Sequence, residues 1–315
     1  MRFLISLVLV LALLYGGYWA VGYTAKGAAI DAAITQLEGA GWQVETEGIA
    51  TRGFPSRFDT TFTEPRITAP SGRVTWQAPW AQLLAVSYLP NRAILALADS
   101  QTLTIDGAPI AVESRDMRAS VRVAPAPALP LETVTFEAGP TALTAPDWEA
   151  RLGRLLAALR QGEGEAAYDV FLEATQIELP LDAGPLGASV PQVRIDGTVR
   201  LDAPLDRHVG EVRPEAVDLR EARVVWGPST AVLTGTLDMT SGTATGPVRL
   251  KVTAWETLLD GLSAAGLVDP TAAARIAPMI RLAGGGAADV TLDFEVRDGA
   301  LHYGPIPLWR FAPAP

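Results

Sequence analysis

The stretch Gly53–Ile67, GFPSRFDTTFTEPRI, opens with a turn signal, Gly-Phe-Pro, and continues in strict alternation. Successive side chains of an extended chain point to opposite faces, so Phe58, Thr60 and Phe62 share one face and Asp59, Thr61 and Thr63 the other. The two phenylalanines mark the inward face. Gly53 and Pro55 make a corner after the preceding run WQVETEGIA, and Pro65 places the far end of the strand on an edge or at a bulge. The stretch therefore reads as one rung of an antiparallel meander.

Short, often alternating runs continue on its carboxyl side: RVTWQ, RAILALA, QTLTI, MRASVRV and LETVTFEA, several separated by turn signals such as Ser71-Gly72 and Asp106-Gly107. APDWEARLGRLLAALRQGEG then predicts a helix, with Asp147 as N-cap, Leu152, Leu155, Leu156 and Leu159 as its apolar face, and Gly162/Gly164 as its stop. Strands resume with AAYDVFLEATQIEL, VPQVRIDGTVRLD, DLREARVVWG, TAVLTGTLDM and ATGPVRLKVTA. Two further helices, WETLLDGLSAAG and PTAAARIAPMIRLA, precede a final strand-rich segment, AADVTLDFEVRDGALHYGPIPLW. Trp-Glu at positions 148–149 and again at 255–256 forms an internal echo, consistent with two halves that each end in a covering helix.

On the amino side, residues 3–21, FLISLVLVLALLYGGYWAV, carry no charge. At about 1.5 Å per residue they make a helix of roughly 28 Å, close to a hydrocarbon core. Arg2 precedes the run and Lys26 follows it, and Tyr15, Tyr18, Trp19 and Tyr23 gather at its far end, where amphipathic rings favour a membrane interface. A retained anchor and a cleaved signal peptide both place the rest of the chain outside the cytoplasm. The length of the run favours the anchor, since a signal's apolar region spans about 7–15 residues. KGAAIDAAITQLEGAGW continues as a helix with Ile30, Ile34 and Leu37 on one stripe, ended by Gly39 and Gly41. The expected organisation is residues 1–25 as transmembrane anchor or uncleaved signal, 26–41 as juxtamembrane helix, 42–164 as a first sheet-plus-helix half, and 165–315 as a second half continuous with it.

The 315 residues suffice for two ordinary domains or one long sheet-rich body, and 49% hydrophobic composition supplies a large core. Net charge of −10, with no basic stripe, argues against a nucleic-acid partner. The absence of cysteine removes disulfides, thiol catalysis and thiolate metal sites.

GFPSRFDTTFTEPRI and the following VTWQAPWAQLLAVSYLPNRAILAL resemble the front half of an uncharacterised bacterial family, the domain of unknown function numbered 2125. The Gly-Phe-Pro corner, Trp76 and Tyr88-Leu89-Pro90-Asn91 carry the resemblance, which extends over most of the exported chain. The family has no established activity to carry over. The last ninety or so residues more loosely resemble the closing segment of AsmA-type envelope proteins. There VTLDFEVRDGALHYGPIPL gives a strand, an Asp298-Gly299 turn, a strand, and then Gly304-Pro305-Ile306-Pro307-Leu308. That resemblance implies inner-membrane anchoring, a periplasmic body of curved β-sheet and a role in envelope lipid homeostasis. The chain is much shorter than the bridge-forming members of that group.

Catalytic signals are sparse. The two histidines, His208 and His302, lie far apart, in a charged loop-like stretch and in the final strand pair. There is no Gly-x-Ser-x-Gly elbow and no His-Glu-x-x-His. Carboxylates such as Glu45/Glu47, Asp59 and Asp293/Glu295 offer pairs for glycoside hydrolysis, but i, i+2 spacing on a strand ordinarily means a solvated sheet face. Gly284-Gly285-Gly286 follows a helix, so it reads as a stop and not a phosphate cradle. Arg52, Arg57, Arg66 and Arg73 are candidates for lipid headgroups, with ion pairs to Glu45, Glu47, Asp59 and Glu64 as the alternative. Phe58, Phe62, Trp76, Trp148, Trp226 and Trp255 are candidates for lining an apolar groove or filling a core.

The sequence thus predicts an α+β fold: a long, curved antiparallel β-sheet partly covered by helices, tethered by an N-terminal transmembrane helix. It predicts a single-pass protein of the bacterial inner membrane with its body in the periplasm and no cofactor. The functional expectation is a non-enzymatic envelope protein that binds or helps transfer lipid or another apolar ligand. The alternative is an adaptor that recruits an envelope protein through an exposed sheet edge; a carboxylate-based hydrolase ranks third.

Overall fold

The computed structural model describes residues 2–310 apart from Val209, Glu211 and Asp298, so the expected Asp298-Gly299 turn lies partly outside the described residues. The architecture is α+β, dominated by antiparallel sheet with three α-helices. The chain divides into two compact units. The first holds Met1–Arg122 and Leu143–Asp147, and the second Val123–Ala142 and Trp148–Pro315.

In the first unit, α1 runs unbroken from Arg2 to Gly39. Gly41, at φ 87°, turns the chain out of it. Among the described residues no helix is long and apolar enough to cross a membrane. The sheet is a meander of five runs, each broken in its middle. They are β1 (Gln43–Glu45) with β2 (Gly48–Arg52), β3 (Asp59–Thr63) with β4 (Arg66–Thr68), β5 (Val74–Gln77) with β6 (Trp80–Leu84), β7 (Arg92–Leu97) with β8 (Ser100–Ile105), and β9 (Ala108–Ser114) with β10 (Arg118–Val123). One ladder joins β1, β4, β5, β8 and β9; the other joins β2, β3, β6, β7 and β10. The breaks line up into a crease. Pro65 and Pro79 cannot donate to a ladder, and Glu64 adopts φ 46° beside Pro65. Across the crease Glu64 N donates to Pro79 O and Ala78 N to Pro65 O. GFPSRFDTTFTEPRI is therefore not one strand but a turn and two short strands in different ladders, and Pro65 lies at this crease inside the sheet, not on an edge. Asp106 and Gly107, both at positive φ, close the two-residue hairpin between β8 and β9.

The second unit begins with β11 (Leu131–Ala138), β12 (Thr141–Thr144, which straddles the unit boundary), β13 (Glu149–Leu152) and β14 (Arg154–Gln161). Here the sequence expectation fails: Asp147–Gly164 is two strands, not a covering helix. Leu, Ala and Arg favour helix, yet Leu155, Ala157 and Leu159 alternate onto one face and are paired on both sides, by β11 and by β15 (Ala167–Glu178). Cross-strand pairing outweighs propensity, and the Trp-Glu echo marks a strand at one site and a helix at the other. The meander continues through β16 (Ser189–Leu201), β17 (Pro214–Trp226), β18 (Ser229–Asp238) and β19 (Gly246–Thr253). Then come α2 (Trp255–Ala264) and α3 (Pro270–Ala283), whose N-cap Asp269 accepts from Thr271 N and Ala272 N. Last are β20 (Val290–Arg297), β21 (Ala300–Tyr303) and β22 (Ile306–Arg310).

Candidate ligand face and helix clamp

Paired residues in a ladder lie on the same face, so the registers of the second unit can be read as rows across the sheet. One row runs Ala138, Leu155, Ala174, Val193, Val224, Ala231, Val252, Val290. The next runs Phe136, Ala157, Leu172, Ile195, Ala222, Leu233, Leu250, Leu292, and a third Val134, Leu159, Val170, Gly197, Leu219, Gly235, Val248, Phe294. No member carries a polar side chain. Eight strands contribute to each row, so the face is about 34 Å wide at ~4.8 Å per strand.

Part of this face is covered. Trp226, Ala183, Leu186 and Val190 form one cluster, joined by Val193, Val224 and Leu258 and Leu262 of α2. Trp255, Val252, Val290 and Leu292 form another, with Ala277 and Ile280 of α3 packed on it. The indole of Trp226 donates to Gly187 O (2.8 Å) and that of Trp255 to Ala287 O (3.0 Å), so both rings are buried with their N–H satisfied. Arg281 of α3 pairs with Glu256 of α2 at 2.5 Å. Away from the helices, Phe136, Leu159, Leu172, Leu219 and Leu233 are part-buried, and Ile195 is 36% exposed. These belong to neither cluster.

The reverse face of the same strands is charged. At Arg220 the β16–β17 register slips by a residue, a bulge that re-aims its side chain. Its guanidinium donates to Asp196 Oδ1 (Nε, 2.9 Å), Thr198 Oγ1 (2.6 Å) and Gly197 O (3.1 Å). Asp169 accepts from Thr198 (2.8 Å) and Arg160 (3.3 Å); the Thr198 hydrogen bond, aided by Arg160 and Arg220, holds its carboxyl below the usual range. Glu221 is lowered likewise by Arg223 at 2.9 Å. These pairs are exposed or half-exposed, so they add little stability each. Together they make a solvated, charge-balanced back.

The first unit contains a different arrangement, a clamp on α1. Tyr15 OH donates to Pro55 O (3.0 Å), Tyr18 OH to Ser87 O (2.5 Å) and Trp19 Nε1 to Arg57 O (3.2 Å). Lys26 Nζ donates to Phe58 O, and to Leu83 O at 3.3 Å. Burial pushes the Lys26 ammonium below its usual pKa, against the pull of Asp59. Trp19 stacks on Phe58 at 5.4 Å between centroids, and Phe58 and Ser87 are buried. Gly22 lets the helix close: a β-carbon there would fall 2.6 Å from Phe58 Cζ. Sequence reasoning missed this clamp. Its signal was the spacing of Tyr15, Trp19, Gly22 and Lys26 along one helix face, masked by reading the aromatics as an interface belt alone.

The candidate groove residues fall in both units. Phe58, Phe62 and Trp76 lie in the first, and Trp148, Trp226 and Trp255 in the second. Phe62 and Trp148 are part-buried, and Trp76, also part-buried, donates to Gln101 Oε1 at 2.7 Å. The four arginines do not form one cluster. Arg52 and exposed Arg57 lie at the clamp end of β2–β3, with Arg57 2.9 Å from Asp59. Arg66 stands across the crease and donates to Gln77, and Arg73, at the far hairpin, is held by Asp106 at 2.5 and 2.8 Å. His208 is exposed, while His302 is part-buried with Nδ1 3.0 Å from Ala300 O. Asp293 is paired with Arg249 at 2.6 Å. Among the described residues no three His, Cys, Asp or Glu side chains converge as a metal site.

Comparison with curated proteins and with solved structures finds no match. A family comparison does: residues 19–312 match the uncharacterized proteins conserved in bacteria grouped as DUF2125, and the chain belongs to that family.

Proposed function

We propose that this chain is a non-enzymatic, membrane-anchored protein of the bacterial cell envelope that binds lipid or another apolar ligand on the sheet of its second unit. The observation that carries the reading is the part of the apolar face outside both helix-packed clusters, Phe136, Leu159, Leu172, Ile195, Leu219 and Leu233, of which Ile195 is exposed and the rest are part-buried. Register slips at Asp196/Gly197 and Leu219/Ala222 bend the strands that carry this face. An acyl chain laid there gains roughly 0.8 kcal/mol for each methylene that leaves water. The reading takes the uncharged run 3–21 as the attachment to the inner membrane, its first turns in the bilayer and its last, from Tyr15, held on the first unit, with the sheet on the periplasmic side.

The test is native mass spectrometry of the full chain extracted in mild detergent. Bound acyl lipid is expected, and Ile195→Asp with Leu172→Asp should lose it while remaining folded. A wild type free of lipid, or a double variant that retains it, overturns the reading. A second reading, an adaptor, is favoured by β22. All five of its residues are exposed, and among the described strands it pairs only with β21, leaving an edge for a partner strand.

A further inference from the structure

The two turns that grip α1 also turn large apolar side chains outward. Phe54, in the corner whose Pro55 carbonyl accepts from Tyr15, is 63% exposed. Tyr88, next to the Ser87 carbonyl that accepts from Tyr18, is 68% exposed, and Leu89 beside it 38%. A single exposed apolar side chain on a loop is ordinary. Three on adjacent turns, at one level of one helix, form a patch; the Phe54 ring meets Trp19 edge-on at 5.3 Å.

That level is where the surface of α1 changes. Before it, Val10, Leu11, Leu13 and Leu14 are 52–76% exposed. After it come Lys26 and Asp31. Tyr15, Tyr18 and Trp19 stand at the boundary, as amphipathic rings do at a bilayer surface. Arg52 and Arg57 are exposed on the same corner, and cations there suit lipid phosphates. Asp59 takes part of the charge of Arg57.

We propose that the Gly53–Arg57 corner and the Ser87–Leu89 turn form a bilayer-surface docking site. Phe54, Tyr88 and Leu89 enter the headgroup–acyl boundary of the leaflet into which α1 passes, and Arg52 and Arg57 face its phosphates. The proposal rests on the anchor reading of α1. It gives the corner a second role beyond holding the helix: with α1 fixing the distance from the bilayer, the patch fixes the tilt of the first unit. Arg66 and Arg73 lie outside it, across the crease.

The chain has no native cysteine, so single spin labels report unambiguously. Full-length Phe54→Cys, Tyr88→Cys, Ser71→Cys and Val10→Cys would be labelled and reconstituted in vesicles of phosphatidylethanolamine and phosphatidylglycerol. Collision with dissolved oxygen and with a water-soluble nickel chelate would then be measured. All four sites are exposed, and resistance to protease verifies that each variant is folded. The labels at 54 and 88 should lose nickel collisions relative to 71 and lie shallower than 10. If 54 and 88 match 71 while 10 stays deep, the docking site is wrong and the anchor stands. If 10 is also open to nickel, the anchor reading fails and takes this proposal with it.

Discussion

In the first unit a helix is held at one end of the sheet: Phe58 is covered by Trp19 and Gly22 of α1, and the helix donors Tyr15, Tyr18, Trp19 and Lys26 end on main-chain carbonyls. In the second unit α2 and α3 pack on the clusters of Trp226 and of Trp255, Val252, Val290 and Leu292, and Phe136, Leu159, Leu172, Ile195, Leu219 and Leu233 belong to neither. The strands differ to match. Those of the first unit are short and creased at Pro65 and Pro79, whereas β15 to β18 run 10–13 residues. Both use the same alternation. Whether a face becomes core or binding surface depends on whether a helix follows in the right place, and alternation alone does not encode that.

The contrast can be broken by burying a charge in each face. Phe58→Asp puts an unpaired carboxylate under α1 and should cost about 3 kcal/mol or more. Ile195→Asp, at a site already 36% exposed, should cost under about 1 kcal/mol. Denaturant unfolding of both variants in detergent measures the difference. Equal costs would mean that Ile195 sits in a packed core and that the second unit has no open face.

A smaller effect sharpens the account of the clamp. Gly22→Leu drives a side chain into the Phe58 ring, and overpacking of this kind costs about 1–3 kcal/mol. Gly16→Leu, six residues earlier where no atom lies within 4 Å, should be near neutral. Protease sensitivity of the first unit distinguishes them. If both are tolerated, α1 is not held by the corner.

Much of this was legible in the sequence. Period-2 alternation located most strands but not β6, β9 and β12, and Pro65 marked a break without showing that it would be a crease inside the sheet. Gly284-Gly285-Gly286 marked the end of α3, and the Gly-Phe-Pro and Tyr-Leu-Pro-Asn motifs pointed to the family. The failure at Arg154–Gln161 has a clear cause: RLLAALRQ satisfies both helical and strand periods, and its fate was decided by Val134, Phe136 and Ala138 on one side and Val170, Leu172 and Ala174 on the other. The open face was not legible either. Leu172 and Val252 look alike in sequence, and only the positions of α2 and α3 make one part-exposed and the other buried. The Arg220 bulge depends on a one-residue register slip that no local pattern marks.

The smallest expected effect concerns Lys26. Burial lowers its pKa from 10.5, and the Asp59 charge opposes the shift only partly. In the window between that lowered value and 10.5 the unfolded chain binds the proton more tightly than the native one, so stability rises with pH there. Below the window the native state bears the full cost of a half-buried ammonium; through it the cost is relieved, while neutral Lys26 still donates to the Phe58 carbonyl. Lys26→Met carries no such proton, and other titrations are common to both proteins. The melting temperature of the wild type minus that of Lys26→Met should therefore grow as the pH is raised from neutral toward 10.5. A flat difference would mean that water reaches the ammonium, and that the helix clamp is looser than the hydrogen bonds from Tyr15, Tyr18 and Trp19 require.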